Sequence, residues 1–396
     1  MAGARTAEEA AKKVAWINDP RIRGLAYQIV LIAIIVLLGY EFIHNAALNL
    51  EKQNIASGFG FLKNTSGFAI VQTLIDYSEE SSYGRVFFVG LLNTILVAVI
   101  GIVLATVIGF VVGIARLSNN WVISRVATVY VELVRNIPLL LQLFFWYFAV
   151  LRSLPNPRQS LEISGSVFLN NRGFFLPKPV FGEGAGLIGI ALIVAIVATV
   201  AIRFWAHRRQ DRTGRIFPVF WTGVGLLVGL PLVAFLVAGM PVTLDYSVLK
   251  GFNFVGGLRV IPEFVGLVLA LSIYTATFIA EIVRAGILAV SHGQTEASYS
   301  LGLRPGPTLR LVVIPQAMRV IIPPLTSQYL NLTKNSSLAV AIAYPDLVSV
   351  FAGTVLNQTG QAVEVLLITM LVYLGLSLVT SLFMNWYNAR MALVER

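Results

Sequence analysis

The sequence predicts an all-α, polytopic membrane protein with about eight transmembrane helices. Three observations carry that expectation. Hydrophobic residues make up 57% of the 396 residues and charged residues only 12%, about half the charged share of ordinary soluble chains. The apolar residues gather in runs of about 20, the length a helix needs to cross the hydrocarbon core. The 29 lysines and arginines fall almost entirely between those runs, so the net charge of +10 reads as membrane topology rather than as a nucleic-acid surface.

The candidate spans, in chain order, are 25–43, 86–115, 126–151, 184–202, 216–240, 264–282, 320–343 and 365–384. The first follows a polar segment holding Glu8, Glu9, Lys12 and Lys13, which is no cleavable leader, so this span is expected to stay as an anchor. Asn18, Asp19 and Pro20 suit its start, an Asx cap followed by proline in the first turn. The second span has no charged residue from Val86 to Ala115. The third and seventh carry charges. Between spans, the stretches 45–85, 152–183 and 241–262 are rich in Pro, Gly and Asn and are expected to be irregular. The 33 glycines are compatible with membrane helices.

Eight spans put both termini on one side. The termini and the loops on that side hold 18 Lys and Arg against 9 opposite, with Arg135 and Lys334 inside spans. Positive loops favour the cytoplasm, so both ends are expected there. The densest marker is Arg203, Arg208, Arg209, Arg212 and Arg215, where an acidic-lipid or nucleic-acid site is the alternative to topology.

A transporter needs a driving force, and the chain shows none of its own. None of its seven lysines follows a glycine, so the phosphate-cradling P-loop is absent. There is no cysteine, the three histidines are far apart, and no nucleophile–base or metal pattern occurs, so no metal site or cofactor is expected in this chain. If ATP drives it, another chain must supply the ATPase.

The loop after the sixth span reads Glu281-Ile-Val-Arg284-Ala-Gly286, then Gly293-Gln294-Thr-Glu296-Ala297-Ser298 and Gly302, with Pro305, Pro307 and finally Val312-Val-Ile314-Pro315. Its residues describe a short amphipathic helix that stops near Gly302, where a left-handed turn is available, and restarts past the prolines. Such a piece is either a rigid lever or a surface connector at the lipid interface.

Glu-Ala-Ser-x3-Gly-x9-Val-x-Ile-Pro resembles the EAA loop of ABC-importer permeases, with full spacing and mild departures at Ser298, Val312 and Ile314. Gly90-Leu-Leu-Asn-Thr94, Tyr130-Val-Glu132-Leu-Val-Arg135-Asn136-Ile-Pro138 and Lys334-Asn335-Ser336-Ser337-Leu338 make the resemblance specific to the polar amino-acid (histidine/glutamine-type) branch of type I importers. Usual members carry Asp-Thr or Asn-Thr after that lysine, where this chain has Asn335-Ser336. The resemblance covers 86–151 and about 256–386. Compact members lack most of 152–255, and the extra length is similar to the general L-amino-acid subgroup.

This resemblance implies a binding-protein-dependent permease that moves L-amino acids across a bacterial inner (plasma) membrane. Glu296, Ala297, Ser298, Gly302 and Pro315 would form the coupling surface for a cytoplasmic ABC ATPase that holds ATP and magnesium. A periplasmic solute-binding protein would deliver substrate, and a related second permease would complete a heterodimer. The implied organisation is 1–85 (cytoplasmic N-terminus, anchor and external loop), 86–388 (permease domain) and 389–396 (cytoplasmic tail). Within the permease domain the core is 86–151 and 256–388, the inserted loops and helix pair are 152–255, and the coupling loop is about 284–315. The chain itself would be no enzyme. The rivals are an ion-gradient-driven secondary amino-acid transporter, a membrane-embedded enzyme and a receptor-like subunit.

Ionisable groups inside spans are costly and so are functional candidates. Glu132 with Arg135, and Glu281 with Arg284, stand three apart and are each expected to pair locally, either as interface neutralisation or at the mouth of the pathway with Asn136. Lys334, Asn335 and Ser336 are expected to face the translocation pathway, with Pro323 and Pro324 unwinding the start of their span. Phe144, Phe145, Trp146 and Tyr147 are expected to meet lipid or neighbouring helices.

Overall fold

The computed structural model describes residues 20–52 and 57–391. The Asx cap and the charged segment read before Pro20, and the last residues of the tail, lie outside them. Helix α1 spans Pro20–Lys52, and its apolar stretch is exposed throughout. α2 (Tyr83–Ala115) starts at Ser82, whose hydroxyl accepts from the Arg85 N–H. α3 (Trp121–Asn136) is capped by Asn120, whose Oδ1 accepts from Val122 and Ile123. α4 (Leu139–Phe144) continues as a π-helical turn, Phe145–Leu151. Then come α5 (Gly186–Thr213), α6 (Val219–Val237), α7 (Pro262–Leu288), α8 (His292–Ser300), α9 (Ile314–Asn335) and α10 (Ala362–Met391).

Among the described residues, seven helical stretches are long and apolar enough to cross a membrane, and α3 with α4 form an eighth crossing only as a bent pair. The third span is therefore not the single rod expected over 126–151. It turns by 105° between α3 and α4. Pro138 explains the break, because the residue before a proline is pushed out of the helical region; Ile137 is extended at φ −94°, ψ 128°. The carbonyls of Val134 and Ile137 at the break both accept from Gln142 Nε2, at 2.8 and 2.9 Å.

Pro323 and Pro324 do not unwind their span. α9 runs through both, held by buried Ile321, Ile322 and Leu325 on the core side. The regular helix gives way later, to a tighter 3-10 segment at Ser336–Ile342.

The stretches flanking α5 and α6 are not irregular either. They fold into eight short antiparallel strands: β1 (Leu161–Ile163), β2 (Val167–Asn170), β3 (Gly173–Leu176), β4 (Lys178–Phe181), β5 (Val242–Asp245), β6 (Val248–Lys250), β7 (Asn253–Val255) and β8 (Leu258–Val260). They pair as β1-β2-β3-β8, β4-β5 and β6-β7. Phe168, Phe175 and Phe254 stack at ring separations of 4.6 and 4.8 Å under this cap.

The core lies where α2 packs along α7. Gly109 and Gly113 let the two backbones close. A Cβ at 109 would come within 2.6 Å of the Ile279 side chain, and one at 113 within 2.7 Å of the Ala280 carbonyl. Small residues do this work in membrane helices, where lipid is as apolar as the interface and only close packing favours association. A second cluster gathers Phe61, Tyr83, Val86, Leu347 and Phe351 around the start of α2.

The sequence Gly90-Leu-Leu-Asn-Thr94 forms the seat for the turn after Ile342. Asn93 Nδ2 donates to the carbonyls of Pro345 (2.8 Å) and Gln72 (2.9 Å). Thr94 Oγ1 accepts from the Leu347 N–H at 3.0 Å, and Tyr344 Oη donates to the Asn93 carbonyl at 3.3 Å. Asn93→Leu leaves two carbonyls without a side-chain donor in a site with no exposed side-chain surface. We expect it to destabilise the fold by about 1–3 kcal/mol, read as a lower melting temperature in detergent. An unchanged melting curve would show that this seat does not hold the turn.

Candidate functional site

Between α7 and α9 the chain makes the kinked segment expected from its sequence. α8 ends in a left-handed residue, Gly302 at φ +77°. The Gly302 N–H bonds the Tyr299 carbonyl (2.9 Å) and the Leu303 N–H bonds the Ser298 carbonyl (3.1 Å), the paired bonds of a Schellman stop. Nothing lies within 4 Å of a Cβ built at 302, so backbone conformation and not space calls for glycine there. Ser298 is buried and donates to the Gln294 carbonyl at 2.7 Å. Ala297 and Glu296 face outward, and the Glu296 side chain is 70% exposed. Its partner within the chain is His292 Nδ1 at 3.0 Å, one helical turn earlier.

Past Gly302 come a single turn at Pro305–Thr308 and a π-helical turn at Leu309–Val313, and Pro315 sits in the first turn of α9. Gln316 Nε2 reaches back to Gln294 Oε1 at 3.3 Å. Leu301 is 83% exposed at the tip. The result is a kinked segment with one exposed carboxylate and an exposed leucine at its turn.

Of the two expected local ion pairs, one forms. Arg284 bonds Glu281 at 2.6 Å, and Glu281 also pairs with Arg116 at the end of α2. The Arg116 side chain is only 11% exposed, so this triad clamps α2 to α7 just before the kinked segment. Glu132 and Arg135 do not pair. Arg135 turns its guanidinium over the Phe278 ring of α7, 5.6 Å from its centroid. Asn136 Nδ2 donates to the Glu132 carbonyl at 2.7 Å. An aromatic face on a neighbouring helix outcompetes a carboxylate one turn away.

Lys334 opens into a groove of about 540 Å³ between α9 and α10, lined also by Ser337, Thr369, Met370, Tyr373 and Ser377. Asn335 is half-buried beside it. Ser336 points inward: it is fully buried and donates to the Thr333 carbonyl at 2.7 Å. Ser337 takes the groove-facing place. The turn beyond is pinned by Asp346, which accepts from the Ser349 N–H (2.8 Å) and from Tyr373 Oη (3.3 Å). A lysine exposed on a membrane helix needs water or a polar partner; the groove sets its hydroxyls among apolar Val348, Met370 and Leu374.

A family model described as the inner membrane component of binding-protein-dependent transport systems matches residues 212–393. Over 378 residues the chain is 58% identical to the General L-amino acid transport system permease protein AapQ of Rhizobium johnstonii, covering 96% of this chain and 94% of that one. The chain belongs to the permeases of amino-acid ABC transporters. It is also 53% identical to the Putative amino-acid ABC transporter permease protein YhdX of Escherichia coli, over 96% of both chains. Identity is 42% to the Glutamate/glutamine/aspartate/asparagine transport system permease protein BztB of Rhodobacter capsulatus, again over 96% of both.

The permease is thus a multi-pass inner-membrane transport subunit, and ATP hydrolysis belongs to a separate ATPase. Membership implies ATPase subunits and a solute-binding protein as its partners. Nothing in these relationships supports the ion-gradient alternative. Several polar residues of the permease were not singled out from sequence: Arg116, Asp346, Thr369, Tyr373 and Ser377. For Arg116 a signal existed, since it is the first charge after a long uncharged run. For the others no local pattern marks them.

Proposed function

We propose that this permease imports L-amino acids of several side-chain types, with the helix His292–Ser300 as the seat of its ATPase. The observation that carries the reading is the projecting Glu296 beside the Schellman stop at Gly302. A rigid helix with one unburied carboxylate suits a cleft on a motor subunit, and Ala297, Ser298 and Pro315 shape and support it. ATP and magnesium act in that partner. A related second permease completes the pathway, with membrane lipid around the remainder. The breadth of substrate rests on the likeness to the AapQ and BztB permeases.

Both termini lie in the cytoplasm on this reading, which puts the strand cap outside and the basic turns and α8 inside. The permease domain is 86–388, interrupted by 152–255, with 1–85 before it and the tail 389–396 after it. Lys334, Asn335 and Ser336 belong to the pathway wall, Lys334 by direct exposure and Ser336 by holding the change from α9 to the 3-10 turn that follows it. Glu132, Arg135 and Asn136 border the pathway's mouth, while Glu281 and Arg284 keep its frame rigid.

The test is reconstitution. Co-purified with its ATPase and solute-binding protein, the permease takes up amino acids across a panel only when ATP is hydrolysed. Full uptake with no ATPase present would overturn the proposal. Lys334→Met lowers uptake about tenfold or more, the effect of losing a charged contact inside a membrane. The same variant keeps the ATPase bound in pull-down. Unchanged uptake removes Lys334 from the pathway.

A further inference from the structure

The α5–α6 hairpin stands apart from the core. Its two helices pack chiefly on each other, and their buried residues are few: Ala195, Ala206 and Gly223. Its turn concentrates positive charge, with Arg203, Arg208, Arg209 and Arg212 on α5 and Arg215 just beyond, against a single acid, Asp211. None of these arginines forms an ion pair among the described residues. Topology alone accounts for positive charge on this side, but it does not account for a shaped site.

A site is there. Arg203, His207 and Gln210, at spacings of four and three along one face of α5, line a cavity of about 400 Å³ with Phe204, Phe217 and Val219. One wall supplies a cation and hydrogen-bonding groups, the other is aromatic and aliphatic. The surroundings are those of a membrane interface. Trp205 packs its edge on Phe217 at 5.4 Å, Arg209 lies 5.2 Å over Trp205, and Phe220 and Trp221 stand 71% and 73% exposed. Basic pockets between membrane helices favour anionic head groups, and aromatic belts settle at head-group depth.

We propose that this cavity binds an anionic phospholipid, its phosphate at Arg203 and His207 and its glycerol and upper acyl carbons along Phe204 and Phe217. Arg208 and Arg209 strengthen the local potential without lining the cavity. The lipid would fasten a hairpin that the protein core holds only weakly.

The test uses the permease–ATPase complex in nanodiscs of phosphatidylcholine mixed with phosphatidylglycerol, with the lipids retained on extraction read by native mass spectrometry. Wild type retains phosphatidylglycerol preferentially. The variant R203Q/R208Q/R209Q loses that preference by about tenfold or more, at roughly fivefold per charge near the surface. A matched variant with the same charge loss elsewhere, R125Q/R319Q/R390Q, outside the coupling loop, keeps it within about twofold. H207A, which removes a hydrogen-bonding group from the cavity wall, weakens retention as well. Equal retention of the two lipids by wild type overturns the proposal, as does equal loss in both triple variants. Displacement of the lipid by excess inorganic phosphate would mean that the site holds a free anion, which also overturns it. Melting curves within a degree or so of wild type confirm that the variants are folded.

Discussion

Glu296→Arg abolishes most ATP-driven uptake, by about thirtyfold or more, while leaving the permease folded and inserted. The magnitude follows from the expected contact: truncating one partner of a hydrogen-bonded charge pair that docking buries costs roughly 2–5 kcal/mol. The fold is spared because the Glu296 side chain is mostly exposed and, among the described residues, bonds only His292 of its own helix. Uptake and ATP hydrolysis measured side by side give the check. Loss of both, or hydrolysis that no longer responds to loaded binding protein, supports the coupling role. Gly302 offers an independent probe, since its φ of +77° taxes any side chain that resists the left-handed region. Gly302→Val is expected to impair coupling more than Gly302→Asn, because asparagine tolerates that conformation. A series at 296 and 302 with full uptake would show that α8 is only a connector.

Gly113→Leu has the largest expected effect on stability. Its Cβ alone would sit 2.7 Å from the Ala280 carbonyl and 2.8 Å from Val283 Cβ, on a helix pair with no slack. Overpacking of this kind costs about 1–3 kcal/mol by itself. Here the strain lies three residues from Arg116, so parting the helices also loosens the bond between Arg116 and Glu281. Breaking a largely desolvated pair adds to the cost, moderated by the 32% exposure of Glu281. The variant should melt several degrees lower and lose monodisperse behaviour in detergent, with Gly113→Ala in between. A Leu variant that melts like wild type would refute close packing of α2 on α7.

What could be read ahead of the structure was whatever a single segment decides. The uncharged run from Val86 to Ala115, the stop at Gly302 and the Glu281–Arg284 spacing are local, and each took its expected form. What could not be read depends on a second segment. Helical spacing made Glu132 and Arg135 neighbours, but Phe278 on α7 captured the arginine. Arg116 and Glu281 meet from helices far apart in sequence. Pro323 and Pro324 suggested a break that packing of Ile321, Ile322 and Leu325 suppresses. Pro138 bends its span through 105°, which the sequence flags only as an interruption. The strands carry no sequence signal of their own because each is three or four residues long, too short for an alternating pattern to register, although Asn170-Asn171-Arg172-Gly173 is a reasonable hairpin turn.

The pairing order of those strands has a wider meaning. β3 leaves the core beside the strand that re-enters it, with Leu176 directly across from Leu258, and inside that pair β4 runs against β5 and α5 against α6. The excursion is therefore a nest of antiparallel partners whose entrance and exit are adjacent. Excising such a segment would leave adjacent chain ends to rejoin, at the cost of the stack that Phe254 makes on Phe168 and Phe175.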